Sequence, residues 1–374
     1  MRSIGIYVHI PFCIQKCLYC DFNSYPLKKY EQVKQYIRFL KKDIKQASQE
    51  LGGCEIKTIY LGGGTPSLLK ANDIAGILNT INKCFPLINN IEITLEANPA
   101  TVSLEKIKQI KKLGVNRISL GVQSFNDRFL KALGRIHTNT DTQNTLSLLR
   151  KTGFGNVGID LMYGLPEQTL SLWLEDLDKF ISLKLEHISF YDLNIEKNTP
   201  FYSMRKRLKL PPEDVQAKMY KLGCKKLEKA GYIHYEISSF AKPQKESRHN
   251  QIYWHNKEYL GVGAGAYSYL KGQRFGKDRD ISCYIEQAKK GYFKQYDLEK
   301  LNKKQRLKET VILNLRILKG FSLKGIIDAR GSNGLLGNLN QLKQEGLLVK
   351  TGDRYRLSKK GILFYDTVAA SILC

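Results

Sequence analysis

The chain has 374 residues, a formal net charge of +25 at pH 7, 42% hydrophobic residues and eight cysteines. This hydrophobic content supports a sizeable core, and eight cysteines in so long a chain do not indicate the disulfide framework of a small secreted domain. No apolar run approaches the ~18 residues of a membrane span, and the first residues lead straight into a short strand. We therefore expect a cytoplasmic protein with one barrel and an appendage, or two or three domains.

The positive charge is concentrated in the second half of the chain. Residues 200–374 carry 35 Lys and Arg against 16 Asp and Glu, and therefore +19 of the net charge of +25. Such an excess favours contact with nucleic acid, an anionic lipid surface or an acidic ligand. A solvated, lysine-rich surface with no partner explains it equally well.

The first predicted strand, Ile4–Ile10, is followed by three cysteines in a C-x3-C-x2-C run: Cys13, Cys17 and Cys20. Thiolates are soft ligands, and cysteines clustered in this way indicate an iron–sulfur cluster or zinc. A structural zinc site normally closes with four ligands, but the next cysteines, Cys54 and Cys84, fall in or beside predicted helices. Three thiolates on a four-iron cluster would leave one iron open to another ligand. The alternative is three buried or reactive thiols, which fits poorly with a polar loop.

Short apolar strands alternate with amphipathic helices over about the first 200 residues. The predicted strands are Ile4–Ile10, Thr58–Leu61, Ile91–Ala97, Arg117–Gly121, Gly155–Met162 and His187–Asp192. The predicted helices between them are about Lys29–Gln49, Leu68–Cys84, Leu104–Leu113, Thr140–Thr152 and Leu170–Leu183. This alternation predicts an α/β fold with a parallel sheet, and six units suit a partial (β/α)6 TIM-like barrel. In such barrels the chemistry takes place at the carboxyl ends of the strands.

Glycines and polar residues stand at the carboxyl ends of successive predicted strands. They are Gly63, Gly64 and Thr65 after the second strand, Glu96 after the third, Gln123 after the fourth and Asp160 within the fifth. Glycine lets the backbone approach a ligand closely, and a buried aspartate is costly unless it is hydrogen-bonded. Each residue alone fits a structural role equally well. Together they predict a polar pocket, because a core does not need polar residues at the same end of several strands.

These segments resemble the radical S-adenosylmethionine superfamily, whose C-x3-C-x2-C loop follows the first barrel strand. The resemblance is closest to the branch of oxygen-independent coproporphyrinogen III oxidase, because YVHIPFC, LGGGTPS, GVQSF, LGRIH and D-x-M-Y-G-LP appear in the same order. It implies that the three cysteines hold a 4Fe–4S cluster whose fourth iron binds S-adenosylmethionine. The residues that it implies for binding S-adenosylmethionine are Tyr7, Tyr19, Gly63, Gly64, Thr65, Glu96, Gln123, Arg135 and Asp160.

Two features separate the chain from the oxidases of this branch. The oxidases carry a further cysteine two residues after the third, where this chain has Phe22. They also have an N-terminal extension ahead of the first strand, where this chain begins. The C-x-F ending resembles instead the HemW-type heme chaperones of the same branch.

A second motif lies within Arg248–His255. It follows a helix predicted to begin at Leu210, with Pro212 near its first turn, and to run to about Ala230, and a strand predicted over Tyr232–Ile237. An imidazole can ligate heme iron, and Tyr and Trp offer flat apolar surfaces, but a histidine at a turn beside two core aromatic residues is the commoner arrangement. The segment resembles the HNxxYW motif of the heme chaperones, which implies a role in heme handling for His249, Asn250, Tyr253 and Trp254.

The glycine-dense stretch Gly261–Ser268 is predicted to be a turn that packs against the barrel mouth.

The last part of the chain has the pattern of a separate module. The predicted elements are the helices Lys304–Leu318, Leu323–Ala329 and Gly334–Glu345, a hairpin of Leu347–Lys350 and Arg354–Leu357, and a last helix, Lys359–Leu373. This order resembles a winged helix, and the single polar stripe of the third helix favours a structural or docking role over DNA reading. We thus predict a radical S-adenosylmethionine barrel over 1–200, a heme-motif region packed on it over 201–295 and a winged-helix-like domain over 296–374.

The leading hypothesis is a cytoplasmic heme chaperone that binds heme, a 4Fe–4S cluster and S-adenosylmethionine and delivers heme to hemoproteins. Its basic half would help docking at an anionic membrane surface, nucleic acid is not an expected partner, and a homodimer is left open. The runner-up is an oxygen-independent coproporphyrinogen III oxidase that decarboxylates its substrate through a radical. A radical enzyme acting on RNA and a structural zinc protein are the remaining alternatives.

Overall fold

The structure is a computed structural model that describes residues 2–324, 326 and 333–373. Its strands are β1 (Arg2–Ile10), β2 (Phe12–Cys13), β3 (Tyr25–Pro26), β4 (Cys54–Gly63), β5 (Leu87–Ala97), β6 (Arg117–Gln123), β7 (Val157–Tyr163), β8 (His187–Asp192), β9 (Ile233–Glu236), β10 (Ser239–Ala241), β11 (Tyr259–Val262), β12 (Tyr267–Leu270), β13 (Gln273–Gly276), β14 (Tyr296–Lys300), β15 (Phe321–Ser322), β16 (Leu348–Thr351) and β17 (Arg354–Leu357).

The α-helices lie between and around these strands. They are α1 (Tyr30–Leu51), α2 (Ala71–Cys84), α3 (Leu104–Lys112), α4 (Asp127–Ala132), α5 (Asn139–Lys151), α6 (Leu170–Ser182), α7 (Pro200–Met204), α8 (Glu213–Lys229), α9 (Arg248–Trp254), α10 (Ile281–Lys289), α11 (Lys303–Leu315), α12 (Asn333–Gln344), α13 (Lys359–Leu363) and α14 (Tyr365–Leu373). Among the described residues, no helix is both long and apolar enough to cross a membrane.

A twelve-stranded sheet organises the chain, in the order β14-β13-β12-β11-β1-β4-β5-β6-β7-β8-β10-β9. The six predicted strands, β1 and β4 to β8, lie side by side and are parallel, which confirms the partial barrel. The sheet has two edges, β14 and β9, and therefore does not close. Its carboxyl-terminal edge is the place where loops can form a pocket.

The structure differs from the predicted elements in the region after residue 230. The first residues of the predicted turn Gly261–Ser268 belong to β11, which pairs in parallel with β1 as a seventh parallel strand. The strands that extend the sheet on both sides, β9, β10 and β12 to β14, are antiparallel and three to five residues long. Of these, β9 matches the strand predicted over Tyr232–Ile237, whereas the other four were not predicted, because segments so short show too few alternations to be recognised. Elsewhere, Cys54 begins β4 shortly after α1 and so lies beside a helix and not within one.

The two faces of the parallel sheet are chemically different because side chains alternate along each strand. Apolar residues on one face pack with the helices to form the main core, among them Ile59, Leu61, Leu95, Leu120, Ile159 and Phe190. The other, concave face carries polar side chains, including Thr58, Tyr60, Glu92, Thr94, Glu96, Arg117, Ser119, Asp160, His187 and Ser189. This polar face requires hydrogen-bond partners, because unpaired buried polar groups are costly.

A buried carboxylate joins the far end of the sheet to the helices that cover it. Asp43 of α1 is only 1% exposed and forms an ion pair with Lys277, and it accepts hydrogen bonds from the Tyr284 hydroxyl (2.8 Å) and the Gly263 amide (2.9 Å). Tyr36 of the same helix donates to the carbonyl of His9 (2.8 Å). These bonds hold the loop between β11 and β12 against the strand that leads into the cysteine run.

The last part of the chain forms its own apolar core from α11, α12, α14 and the three-stranded sheet β15-β17-β16. This arrangement confirms the winged-helix-like domain. The predicted last helix is wrong in one detail, because it is interrupted at Phe364, whose backbone (φ −111°, ψ 32°) leaves the helical region. Most of the helix predicted over Leu323–Ala329 lies outside the described residues, and the three predicted region boundaries stay predictions.

We expect Asp43→Ala to lower the free energy of unfolding by about 3–5 kcal/mol, because it leaves the Lys277 ammonium buried without its partner. Chemical denaturation measures this difference. Asp214→Ala is the matched control, since it breaks an exposed pair with Lys218 on α8 and should change the stability little. Equal effects of the two substitutions would contradict the role of the Asp43 network.

Candidate functional site

A cavity of about 280 Å³ opens at the carboxyl ends of the parallel strands. Eleven of the residues predicted for the cluster and for S-adenosylmethionine line it together: Cys13, Cys17, Tyr19, Cys20, Gly63, Gly64, Thr65, Glu96, Gln123, Arg135 and Asp160. They come from the cysteine loop, from β4 to β7 and the turn after β4, and, for Arg135, from the turn after α4. Tyr7 is the exception, because it lines a neighbouring cavity that shares Gly63 and Glu96 with this one.

The cysteine loop is held in place from both sides. Its first residues, Phe12–Cys13, pair as β2 with Tyr25–Pro26. In the middle of the loop, the Leu18 amide donates to the carbonyl of Leu133 (3.0 Å), and the Leu18 carbonyl accepts from the amide of Phe201 (3.0 Å). The positions of the thiols are therefore fixed by backbone bonds to two other segments.

The surroundings of the thiols suit a cluster ligand set. Thr65 donates from its hydroxyl to the Cys13 sulfur (3.5 Å), and Arg135 donates to the Cys17 sulfur (3.6 Å). Burial raises the pKa of Cys13 and of Cys20. Such thiols are stabilised as thiolates when they bind a metal, and donors to the sulfurs are a feature of iron–sulfur sites.

The three thiols form a donor set of the kind that iron–sulfur clusters use. Cys13, Cys17 and Cys20 line one cavity, and thiolates are the usual ligands of 4Fe–4S clusters. Among the described residues, no group of three or more Cys, His, Asp or Glu side chains is placed to hold a single metal ion. The chemistry of the three thiols fits a 4Fe–4S cluster.

The glycine turn after β4 lies directly against the cysteine loop. The Gly64 amide donates to the carbonyl of Ile10 (2.8 Å) and the Thr65 amide to that of Phe12 (2.8 Å). A Cβ atom on Gly64 would stand 2.7 Å from the Phe12 carbonyl oxygen. Gly63 has a φ of 114°, in the region that favours glycine. Both glycines are thus required for the close approach of the two loops.

Two half-buried carboxyl groups face the cavity from β5 and β7. Glu96 accepts from the Tyr60 hydroxyl (2.7 Å) and the Gly63 amide (3.1 Å). Burial, with a smaller contribution from Asp160, raises the pKa of Glu96 to about 7, and burial raises that of Asp160 to about 6. Both groups therefore change charge near neutral pH, where a cationic ligand would favour the ionised forms.

Gln123 and Arg135 complete the cavity on the β6 side. Gln123 has a φ of 69° at a bulge where the register between β6 and β7 shifts, and its side chain accepts from the Tyr191 hydroxyl (3.0 Å). A left-handed backbone at a residue other than glycine is costly and is concentrated at functional sites. Arg135 donates to the Gly121 carbonyl (2.5 Å), which joins the LGRIH turn to the same bulge.

Several residues of the cavity were not predicted, among them Asn98, Ser119, Met162, Tyr191, Asp192, Asn194 and Glu196. Tyr60, which orients Glu96, was also missed. Ser119 could have been found from the alternation of side chains, since it lies four residues before Gln123 on the same strand. Tyr60 carries no such signal, since Thr65 follows it by five residues. The loop residues after β8 carry no comparable signal.

The four residues of the HNxxYW motif do not form one surface. They lie on α9, which crosses the concave face of the sheet. His249 is 0% exposed, and its ring nitrogens are hydrogen-bonded to Thr58 (2.7 Å) and to the Tyr253 hydroxyl (2.8 Å). Trp254 lies under the Arg316 guanidinium, 4.2 Å away, at the contact with the C-terminal domain. Asn250 is half-buried in the first turn.

Comparison with known proteins places this geometry in a family. The model of the radical SAM superfamily matches residues 7–180, and that of the HemN C-terminal domain matches residues 301–364. The heme chaperone HemW of Bacillus subtilis is 36% identical, over 98% of each chain, and that of Escherichia coli is 35% identical, over 98% of this chain and 97% of its own length. The chain belongs to the HemW family of the radical SAM superfamily. The HemW of Lactococcus lactis is 42% identical over 84% of this chain and 82% of its own length.

The fold is that of the oxidase branch as well. The structure of coproporphyrinogen III oxidase (HemN) from Escherichia coli superposes with a TM-score of 0.87, over 99% of this chain and 90% of that chain, at 22% identity. At this identity the likeness shows the fold alone. Membership of the radical SAM superfamily implies a 4Fe–4S cluster and S-adenosylmethionine for this HemW chain, and the thiols and the glycine turn fit these cofactors.

We expect Gly64→Ala to displace Phe12 and Cys13 and to lower the iron and sulfide bound per chain after anaerobic reconstitution. The strain of the added methyl group should also cost about 1–3 kcal/mol of stability. Gly155→Ala is the matched control, because a Cβ atom there meets no atom within 4 Å. Iron and sulfide analysis with denaturant unfolding measures both effects, and unchanged cluster content in Gly64→Ala would contradict the proposed contact.

Proposed function

We propose that this chain is a heme chaperone that binds heme, holds a 4Fe–4S cluster and S-adenosylmethionine, and delivers heme to hemoproteins. The observation that carries the proposal is the likeness to heme chaperones over nearly the full length of the chain, including the C-terminal domain. The structure supports it with a cavity in which the cysteine loop and the polar strand ends meet.

The cofactor residues are proposed from their place in this cavity. Cys13, Cys17 and Cys20 would hold the cluster, which supplies an open iron for the amino and carboxylate groups of S-adenosylmethionine. Tyr19, Thr65, Gln123, Arg135 and the glycine turn would surround the bound molecule. Glu96 and Asp160 would place ionised carboxylates near its positive charge. Tyr7 would contribute to binding S-adenosylmethionine from the neighbouring cavity, across the wall of Gly63 and Glu96 that the two cavities share.

Phe22 favours this proposal over an oxidase. Its side chain is 65% exposed and lines both cavities, at the position where the oxidase branch has a further cysteine. An exposed phenylalanine provides an apolar contact surface and no thiol.

Two finer proposals are peripheral contact with an anionic membrane and a homodimer. Cosedimentation with vesicles tests the first, and sedimentation velocity tests the second.

Hemin should bind the reconstituted chain with a shifted Soret band at about one equivalent. A titration without such a shift, with the cluster present or absent, would exclude the proposal.

In an anaerobic assay with coproporphyrinogen III, S-adenosylmethionine and reductant, we expect no protoporphyrinogen, and its formation would favour the oxidase instead.

The affinity for S-adenosylmethionine should rise with pH, because the pKa of Glu96 is about 7 and its ionised form attracts the sulfonium charge. Below this pKa the carboxyl group is protonated and the attraction is lost. We expect up to about a tenfold increase in affinity between about pH 6 and about pH 8. Glu96→Gln should abolish most of this dependence in equilibrium binding, whereas the same slope in the variant would assign it to another group.

A further inference from the structure

The histidine of the HNxxYW motif is enclosed on every side. Gly5 of β1 lies against it, since a Cβ atom on Gly5 would stand 3.3 Å from the imidazole and 2.5 Å from Ile252. The Glu92 carboxylate accepts from the amides of Arg248 (3.0 Å) and His249 (2.9 Å) and so fixes the start of α9. Burial lowers the pKa of His249 to about 3, so the ring is neutral. With both nitrogens hydrogen-bonded, this ring has no atom free for iron.

The buried imidazole instead supports a column of aromatic rings. His249 packs against Tyr60 with ring centres 5.0 Å apart, and Tyr60 stacks on Tyr7 at 6.1 Å. The hydrogen bond from His249 to Tyr253 fixes a further ring, which meets Tyr259 edge to face at 4.6 Å. The motif therefore fixes the positions of tyrosines that are partly exposed, although His249 itself is fully buried.

Three of these tyrosines, Tyr7, Tyr253 and Tyr259, line the second cavity, an aromatic cleft of about 390 Å³ beside the cofactor cavity. The residues that line it with flat apolar surface are Tyr7, Phe22, Tyr253, Tyr259 and Tyr267. Gly63 and Glu96 also line it, so the cleft and the cofactor cavity share a wall. A planar macrocycle suits a cleft with aromatic walls on several sides.

An unpaired cation stands at the rim of the cleft. Arg279 is exposed, and within the described part of the chain its side chain makes neither an ion pair nor a hydrogen bond. The neighbouring imidazole, that of His9, is engaged by Tyr7 (3.0 Å) and by the Asn23 carbonyl (2.8 Å). A free guanidinium beside apolar walls fits a ligand that combines a flat ring system with carboxylates.

Tyr267 offers an exposed phenol oxygen for iron in the cleft. Its side chain is 37% exposed, and its ring lies flat over Gly276, where a Cβ atom would stand 3.0 Å from the ring. The Tyr267 hydroxyl donates to the Asp297 carboxylate at 2.5 Å. When the phenol oxygen binds ferric iron, its proton can pass to this carboxylate, and tyrosinate is a known heme ligand.

We propose that the aromatic cleft is the heme site, with Tyr267 as the iron ligand, Arg279 as the partner of a propionate and His249 as a positioning residue. This inference rests on the proposed function and deepens it. In this arrangement the HNxxYW motif supports the cleft, and heme lies next to the cofactor cavity. The iron–histidine bond that the motif suggests has no place in this arrangement.

Hemin titrations of the full, reconstituted chain test the proposal. Tyr267→Phe should move the Soret maximum and remove the tyrosinate charge-transfer band, and Arg279→Gln should weaken binding by roughly tenfold without moving the maximum. His249→Gln should keep the wild-type maximum, with weaker binding. Tyr292→Phe and Arg38→Gln are matched controls on exposed side chains outside the cleft and should behave as the wild type.

The outcomes separate the two proposals. No hemin binding by the wild type would overturn the proposed function, whereas wild-type binding that neither cleft substitution changes would overturn only the cleft. A Soret maximum that moves in His249→Gln and stays in Tyr267→Phe would make His249 the ligand. Cluster content and denaturant unfolding verify that each variant folds, and Tyr253→Phe, which removes only the bond to His249, replaces His249→Gln if that variant does not.

Discussion

The polar concave face of the open sheet is the constraint on which the rest of the structure depends. A closed barrel fills its interior with its own apolar side chains, whereas this sheet presents tyrosines, carboxylates and an arginine inward. Most buried polar groups in proteins are hydrogen-bonded. Midway along β4 and β5, α9 supplies partners for Thr58 and Glu92 through its first turn. Near the carboxyl ends the polar groups remain available to ligands.

This division of the concave face explains why one short helix affects two sites. His249 packs on Tyr60, and Tyr60 orients Glu96 in the cofactor cavity. The same histidine fixes Tyr253 in the aromatic cleft, and Trp254 packs under Arg316 of the C-terminal domain. In the sequence this motif resembles a set of heme ligands. In the structure its residues instead contact the barrel, the cleft and the C-terminal domain.

The sequence predicted the parts of the fold that depend on repeated local patterns. Six strands, five helices and the polar strand ends follow from alternation and periodicity, and the cysteine run follows from the spacing of soft ligands. It did not predict the enclosure of His249, because that depends on Gly5 and Thr58, which lie more than 190 residues away along the chain. The left-handed Gln123 was also hidden, since it lies at a register shift between β6 and β7, which are far apart in the sequence. The strands β10 and β12 to β14 were missed for a different reason, because they are too short to show a clear alternation.

The shared wall of Gly63 and Glu96 has a thermodynamic consequence for the two ligands. S-adenosylmethionine would change the charge and position of Glu96, and Glu96 borders the space proposed for heme. If one ligand changes the affinity of the other, linkage requires that the effect be equal in both directions. A cofactor that is not consumed can thereby control heme affinity. The radical SAM site would then keep a role in a chaperone, because its occupancy would set, through a carboxylate with a pKa near neutrality, how tightly the neighbouring cleft holds heme.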